Sequence, residues 1–333
     1  MKEAKLGVGM ISAGKKLASN IVTNEDLCRM MDTSDEWIVE RTGVHERCIA
    51  TTEKSLDLAL AAAEEALIGV ERGSIDLVIV ATCTPDMLVP SMSSLVKMRL
   101  GLDNAAVFDL NSACSGFVYA LWAAESIMEM SFTKPGARIN RSLIIGSERI
   151  SRIADWEDRK SCILFGDGAG CAVLERRDGE TGIIASYFKN YDDVNEALWC
   201  GMEYKPNPFS SSEESKRMKV RMSGTQVFKF AVNAVNEVMD KTLEYAGMTA
   251  DDVDFFIPHQ ANLRIIRAAS HRFEQPLEKF QLSIDKSGNV SAASIPMAFY
   301  DAMKQGKLKK GDIVMLVGFG GGLSAGAVLM RMW

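Results

Sequence analysis

A duplicated α/β fold, with strands buried on both faces, is what this 333-residue sequence predicts. Three observations carry the prediction. Segments apolar at nearly every position alternate with amphipathic ones, the pattern of strands covered by helices on each side. The second half repeats the order of the first at an offset of roughly 160–180 residues. Composition, 47% hydrophobic and 25% charged with 26 Gly and 8 Pro, is that of a folded globular protein long enough for two domains or one large duplicated unit.

The elements follow in order. The start of the chain to residue 16 is a short apolar run broken by glycines after two lysines, and it reads as a first buried strand rather than a signal peptide. Residues 52–67 open on a possible cap, Thr52, and place Leu56, Leu60, Ala63 and Leu67 on one face of a helix. I-D-L-V-I-V-A at 75–81 is a strand apolar almost throughout, and 106–110, 142–146 and 171–174 read the same way. Between them, 115–130 is a helix whose opening, G-F-V-Y-A-L-W-A-A, carries no charge. A polar span, 191–221, reads as a surface flap. Helices at 227–245 and 261–272 flank a strand at 253–257. The uncharged stretch 313–330 has 18 residues, the lower limit for a membrane span. Five glycines in its middle instead predict two core strands joined by a turn.

The halves echo each other segment by segment. S-I-D-L-V-I-V at 74–80 parallels D-V-D-F-F-I at 252–257, and R-S-L-I-I-G at 141–146 parallels G-D-I-V-M-L-V-G at 311–318. Cys114-Ser-Gly with its helix answers the segment Asn289-Val-Ser-Ala-Ala-Ser, and each half closes on a glycine turn and a strand. Chance similarity between βα units is the alternative. A duplication predicts halves of 1–176 and 177–333, with equivalent loops face to face around one shared site.

A net charge of −6 argues against a general nucleic-acid binder and leaves room for a local basic patch. The seven cysteines form no C-x-x-C pair and cannot all bridge within one chain, which predicts reduced thiols and a cytosolic protein. Three histidines are too few for a convincing metal site.

Cys114 stands between a strand and an uncharged helix, where the helix dipole and free N–H groups favour thiolate over a reference pKa near 8.5. A small buried hydrophobe is the commoner role of a free cysteine. His259, in I-P-H-Q-A-N just past a strand's C-terminal end, sits where α/β proteins place ligands; capping the next helix is the competing reading. Asn289, in K-S-G-N-V-S-A-A-S, has helix capping as its ordinary explanation, and by the half-repeat it occupies the station of Cys114. Gly320-x-Gly322-x-x-Ala325 matches a dinucleotide fingerprint by letters, yet too little chain follows for the helix and acidic residue that motif needs. A turn bringing backbone N–H groups near a reacting oxygen fits better.

D-T-S-D-E-W-I-V-E-R-T-G-V-H-E-R at 32–47, A-C-S-G-F at 113–117, F-G-D-G-A-G at 165–170, P-H-Q-A-N-L-R-I-I at 258–266, G-N-V-S-A-A-S-I-P at 288–296 and G-F-G-G-G at 318–322 together resemble the β-ketoacyl-acyl-carrier-protein synthase III family. The resemblance is ordered and spans nearly the whole chain. It implies a thiolase-like fold, two βαβαβαββ halves in five α-β-α-β-α layers, and a cytoplasmic homodimer that starts fatty-acid synthesis.

It also implies roles. Cys114, His259 and Asn289 would be the catalytic triad. Cys114 would take an acyl group from coenzyme A, and malonyl-acyl-carrier protein would then lose carbon dioxide and attack it, with His259 and Asn289 holding the thioester oxygen. The N–H groups of Cys114 and Gly321 would form the oxyanion hole. Trp37 and Arg159 would flank the adenine of coenzyme A, with Thr33 and Arg41 nearby, while Phe228, Asn262 and Phe319 line the pantetheine tunnel. An ordinary surface-anchored aromatic is the alternative for Trp37. Lys229, Arg264 and Arg267 would form the basic rim that receives the acidic carrier protein. The family's reaction uses the coenzyme A thioester as substrate, with no metal or nucleotide cofactor, no nucleic acid and no membrane.

The chain departs from the family at several points. Ala13-Gly14-Lys15-Lys16 stands where relatives often have an aromatic and a proline, and Asn111-Ser112 replaces a small apolar pair before the nucleophile. Met87 and Val89 fall in the loop where relatives shape the acyl pocket across a dimer contact. Val89 is at an often aromatic position, so the smaller residue could admit branched or longer primers, and Met87 could refill the space. A related secondary-metabolite condensing enzyme or acyltransferase is the second reading. A non-catalytic partner subunit would have lost the nucleophile, and thiolases would show a second cysteine in the terminal glycine loop, where this chain has none.

Overall fold

The computed structural model describes residues 6–179, 182–202, 208–209 and 218–333; residues 1–5 of the expected first strand and much of the expected flap lie outside the described residues. The first half runs β1 (Leu6–Leu17), β2 (Asn20–Thr23), α1 (Asn24–Cys28), α2 (Asp35–Thr42), β3 (Glu46–Ile49), α3 (Ser55–Ala66), β4 (Leu77–Ala81), α4 (Met92–Leu100), β5 (Ala106–Leu110), α5 (Gly116–Thr133), β6 (Arg141–Arg149) and β7 (Asp167–Asp178). It continues as β8 (Gly182–Asn190), β9 (Leu198–Cys200), β10 (Val220–Met222), α6 (Gly224–Ala246), β11 (Phe255–Pro258), α7 (Leu263–Arg272), α8 (Ile284–Ser287), α9 (Ser294–Lys304), β12 (Ile313–Gly320) and β13 (Ser324–Arg331).

Two mixed sheets dominate. One has the order β1-β7-β6-β4-β5 and the other β11-β12-β13-β8. In each, the inner strands run parallel (β4 with β5 and β6, β11 with β12) and the last two join antiparallel. Alternate residues of β4 explain its unbroken apolarity. Leu77, Ile79 and Ala81 face a central core with α5 and α9, while Val78 and Val80 face an outer core with α3 and α4. The other sheet is covered outside by α6 and α7. Helix, sheet, helix pair, sheet and helix thus stack in five layers, with α5 and α9 between the sheets.

Two expectations change on contact with the structure. Of the expected α3 face Leu56–Leu60–Ala63–Leu67, Ala63 and Leu67 are buried but Leu56 and Leu60 only half-buried, and Leu58, Ala59, Ala62 and Ala66 complete the buried face. The reason is close approach: at Gly14 of β1 an added Cβ would lie 2.0 Å from the Ala62 carbonyl oxygen, so only the small-residue face fits. Among the described residues the second half has no regular third strand, only an isolated parallel bridge between Phe256 and Phe280. Gln260 takes over there, its amide bonding the Gln281 carbonyl at 3.0 Å and the Ser283 N–H at 2.9 Å as the chain turns into α8. The expected glycine turn is present: Gly320–Gly322 joins antiparallel β12 to β13 and opens no helix. Among the described residues no helix is long and apolar enough to cross a membrane.

Candidate active site

Residues 111–115 make a tight approach to α5. Asn111 Oδ1 accepts the Ala113 N–H at 3.1 Å, Ala113 adopts φ +44°, and one 3-10 turn carrying Cys114 leads into the helix. The other half builds the same device. Asn289 Oδ1 accepts the Ser291 N–H at 2.8 Å, Ser291 adopts φ +46°, and a 3-10 turn leads into α9. The backbone therefore pairs Asn289 with Asn111 and Cys114 with Ala292, correcting the half-repeat that set Asn289 against Cys114. Asn289 keeps the turn-forming role its sequence suggests, but with one atom only. Among the described residues its Nδ2 has no hydrogen-bond partner.

His259 follows β11 and is 1% exposed. It does not cap the next helix, because Asn262 does, its Oδ1 accepting the Arg264 N–H at 2.9 Å. His259 Nδ1 instead lies 2.6 Å from Ser294 Oγ, and its ring meets Phe319 edge to face at 5.0 Å. Nε2 is the nitrogen left for a ligand. Burial pulls the imidazole down to about 3, so it is neutral at pH 7. The unfolded chain takes up this proton near pH 6.5 and the folded one only near 3. The contribution to stability is therefore whole above 6.5 and is lost as pH falls toward 3. That gap is worth about 5 kcal/mol. Denaturant melts from pH 7 to pH 4 should show the wild type losing about 3 kcal/mol more than His259→Gln; parallel losses would contradict the buried neutral ring.

Cys114, His259 and Asn289 converge on one cavity of about 1590 Å³. Burial pushes the Cys114 thiol up to about 11, reversing the lowered value expected from the helix N-terminus. A hydrogen bond from Ser291 and the N–H groups of Cys114 and Gly321 pull the other way, and nearby Glu148 adds to the rise. The thiol is thus held protonated at rest. The glycine turn reaches it because Gly320 has no side chain. A Cβ there would lie 2.7 Å from Cys114 Cβ and 2.9 Å from its nitrogen.

Trp37, Arg41 and Arg159 line the same cavity. The guanidinium carbons of Arg41 and Arg159 lie 4.8 and 5.2 Å from the Trp37 ring centroid, and Arg159 also bonds the Asp32 carbonyl. Phe228, Asn262, Phe319 and Arg264 line it as well, Arg264 lying 5.1 Å over the Phe228 ring. Asn262 is further committed to the Arg41 carbonyl at 2.9 Å. Met87 lines the cavity, but Val89 does not and is 85% exposed, because the loop before α4 turns it outward. Thr33, Lys229 and Arg267 also lie outside the lining; Thr33 Oγ1 is buried without a hydrogen-bond partner, and the other two are exposed.

Sequence reasoning passed over the floor of the site. Glu148 is wholly buried and accepts from Thr82 Oγ1 at 3.2 Å, from the Cys83 N–H at 3.1 Å and from Thr84 Oγ1, which ties down the 82–84 wall. Burial raises its carboxyl, opposed first by Thr84. Cys83 lies 3.3 Å from Glu148 Oε1, and burial holds its thiol well above the ordinary range. Ser115 and Ser324, both buried, bond at 2.7 Å beneath the glycine turn. The only signal for Glu148 was a charge inside the strand G-S-E-R. All seven cysteines are free, and among the described residues no group of three or more His, Cys, Asp or Glu could hold a metal ion.

Comparison with known proteins adds a second line. A family profile described as 3-oxoacyl-[acyl-carrier-protein] synthase III matches residues 108–191, and its C-terminal counterpart matches 243–332. The chain is 43% identical over 326 residues to a β-ketoacyl-[acyl-carrier-protein] synthase III of Alkalilimnicola ehrlichii, covering 97% of this chain and 98% of that protein. Among solved structures, 3-oxoacyl-[acyl-carrier-protein] synthase III from Aquifex aeolicus VF5 superposes with TM-score 0.89 at 40% identity, covering 98% and 100% of the two chains. The priming β-ketosynthase of the R1128 polyketide pathway superposes with TM-score 0.89 at 32% identity, covering 98% and 96%.

Proposed function

The chain belongs to the 3-oxoacyl-[acyl-carrier-protein] synthase III family of thiolase-like condensing acyltransferases, and from that premise we propose that Cys114, His259 and Asn289 perform its decarboxylative condensation. The reaction joins an acyl group from coenzyme A to malonyl-acyl-carrier protein and begins fatty-acid synthesis. The observation that carries the assignment is the meeting of one thiol, two backbone N–H groups, a neutral imidazole and a free carboxamide on one cavity.

Cys114 attacks the thioester carbonyl; the C–S bond to coenzyme A breaks and its sulfur ends protonated. The tetrahedral oxyanion meets the N–H groups of Cys114 and Gly321, each such donor being worth about 3–4 kcal/mol. Malonyl-acyl-carrier protein then loses carbon dioxide, its enolate carbon bonds to the acyl carbon, and the Cys114 sulfur leaves. His259 Nε2 and Asn289 Nδ2 hold the malonyl thioester oxygen as its charge grows. For a neutral imidazole to donate at Nε2, Nδ1 must accept, which assigns the Ser294 proton to the ring rather than to the Ser291 carbonyl 2.7 Å away.

Trp37, Arg41, Arg159 and Thr33 are proposed to receive the nucleotide end of coenzyme A. A purine between Trp37 and Arg159 needs about 7 Å, two contacts of about 3.5 Å each, so Arg159 must swing outward and release Asp32. Phe228, Asn262 and Phe319 form the pantetheine passage, and exposed Lys229, Arg264 and Arg267 the rim for the carrier protein. Met87 walls the acyl end. Val89 is assigned to a partner's pocket in a homodimer formed at β5, the open edge of its sheet. Leu88 and Val89 are 73% and 85% exposed beside that edge, where Asp109 of β5 holds the Met92 N–H at 2.7 Å. Two halves, 1–176 and 177–333, would supply the nucleophile and the His–Asn pair respectively, in a cytoplasmic enzyme needing no metal or nucleotide cofactor.

Incubation with a panel of acyl-coenzyme A thioesters should leave one acyl mass on Cys114 for the preferred primer. Absence of any acyl adduct across short, branched and longer chains would remove the mechanism. That panel also separates fatty-acid priming from a secondary-metabolite role. Gly320→Ala should acylate at least 100-fold more slowly, because its Cβ forces β12 away from the sulfur and both N–H donors lose register. Acylation at the wild-type rate would show that the close approach is dispensable.

A further inference from the structure

We propose that Ser324 is a positioning residue for the oxyanion hole, the last member of a directed chain of hydroxyls, Ser112 to Ser115 to Ser324, that fixes Gly321 against the nucleophile's turn. The inference rests on Gly321 supplying one of the oxyanion donors. Three glycines in a row give the 320–322 turn wide conformational freedom, and Gly322 uses it at φ +116°. Interlocking side chains cannot steady it, because β12 approaches too closely: a Cβ on Gly318 would lie 3.1 Å from Ser115 Cα, and one on Gly320 2.7 Å from Cys114 Cβ. Hydroxyls tie the two turns together instead. Ser115 and Ser324 are both buried with their Oγ atoms 2.7 Å apart, Ser112 Oγ lies 3.0 Å from Ser115 Oγ, and Ser324 Oγ lies 3.1 Å from the Gly321 carbonyl oxygen.

Each hydroxyl has one hydrogen, and that sets the direction. With Ser112 donating to Ser115, Ser115 to Ser324 and Ser324 to the Gly321 carbonyl, every hydroxyl donates once, and the Ser112 carbonyl still receives the Ser115 N–H at 3.1 Å. The opposite run turns the Ser115 hydroxyl to the Ser112 carbonyl, 2.7 Å away, and Ser324 to Ser115, which takes the donor from Gly321. A chain ending on the carbonyl strengthens bond by bond. It leaves Gly321 little room to rotate, so its N–H stays in register with that of Cys114. The turn itself does not need these hydroxyls. Val290 and Ala293 hold the matching positions in the other half and form the same 3-10 turn, packed on Met297.

Ser324→Ala should slow acylation of Cys114 at saturating acyl-coenzyme A about tenfold, a fraction of the roughly 100-fold to 1000-fold that a whole lost donor costs. KM should hold, and malonyl decarboxylation, which leans on His259 and Asn289, should keep its wild-type rate. Ser324→Thr keeps the donating hydroxyl and should restore most of the acylation rate. Ser112→Ala, at the half-buried head of the chain, removes only the first donor and should slow acylation about threefold with the melting midpoint unmoved. Wild-type acylation in both alanine variants, equal loss of acylation and decarboxylation, or no recovery in Ser324→Thr overturns the positioning role. Failure of wild-type Cys114 to acquire any acyl group would instead overturn the reading on which it rests.

Discussion

Cys114→Ala is expected to acquire no acyl mass from any coenzyme A thioester and to form no condensation product. The N–H groups of Cys114 and Gly321 pull the pKa of this sulfur down, and Gly320 is bare so that the turn can reach it. Another thiol cannot take over easily. Cys83, on the wall of the same cavity, donates to a buried carboxylate and is held well above its ordinary pKa by burial. The fall should reach the residual level set by binding alone, about 10⁴-fold or more below wild type. Mass spectrometry of the intact chain decides it; an adduct that persists on another residue would transfer the nucleophile's role there.

Asn289→Asp should separate the two half-reactions. The substitution keeps an oxygen for the Ser291 N–H, now 2.8 Å from Asn289 Oδ1, so the strained turn stays capped. What it removes is the donating Nδ2, replaced by an oxygen that repels the enolate. Malonyl decarboxylation should fall about 100-fold to 1000-fold, the cost of one lost donor, while acyl loading of Cys114 falls much less. Asn289→Ala is the harsher test of the turn, since it leaves a buried N–H unpaired at a residue with φ +46°. Comparable loss of loading and decarboxylation in Asn289→Asp would place the residue in both steps and defeat the division of labour.

Much of this site was legible along the chain. A cysteine ahead of an uncharged helix, a histidine past a strand end and a glycine turn between two apolar strands are local patterns, and each appears where its neighbours imply. Other features were not. The inward face of α3 was legible only in part, with Ala63 and Leu67 buried as expected, because the leucine spacing and the alanine face both satisfy helical periodicity; the 2.0 Å approach at Gly14 favours the small-residue face. Glu148 looked like a stray charge in an apolar strand; its place behind the 82–84 wall comes from Thr82, Cys83 and Thr84, contributed by another segment.

By itself, the order of residues determined the alternation of doubly covered strands and helices, the three chemistry-bearing side chains and the family to which the chain is similar, because pleat and helix periods are written in neighbours. Tertiary structure alone decided the register between the halves, which pairs Asn111 rather than Cys114 with Asn289. It also decided the direction of the Cys114 pKa. A helix N-terminus is a local feature that lowers a thiol's pKa, whereas desolvation sums over every segment that excludes water. Here that sum comes from both halves and wins, so the thiol rests protonated amid donors that take effect when charge appears.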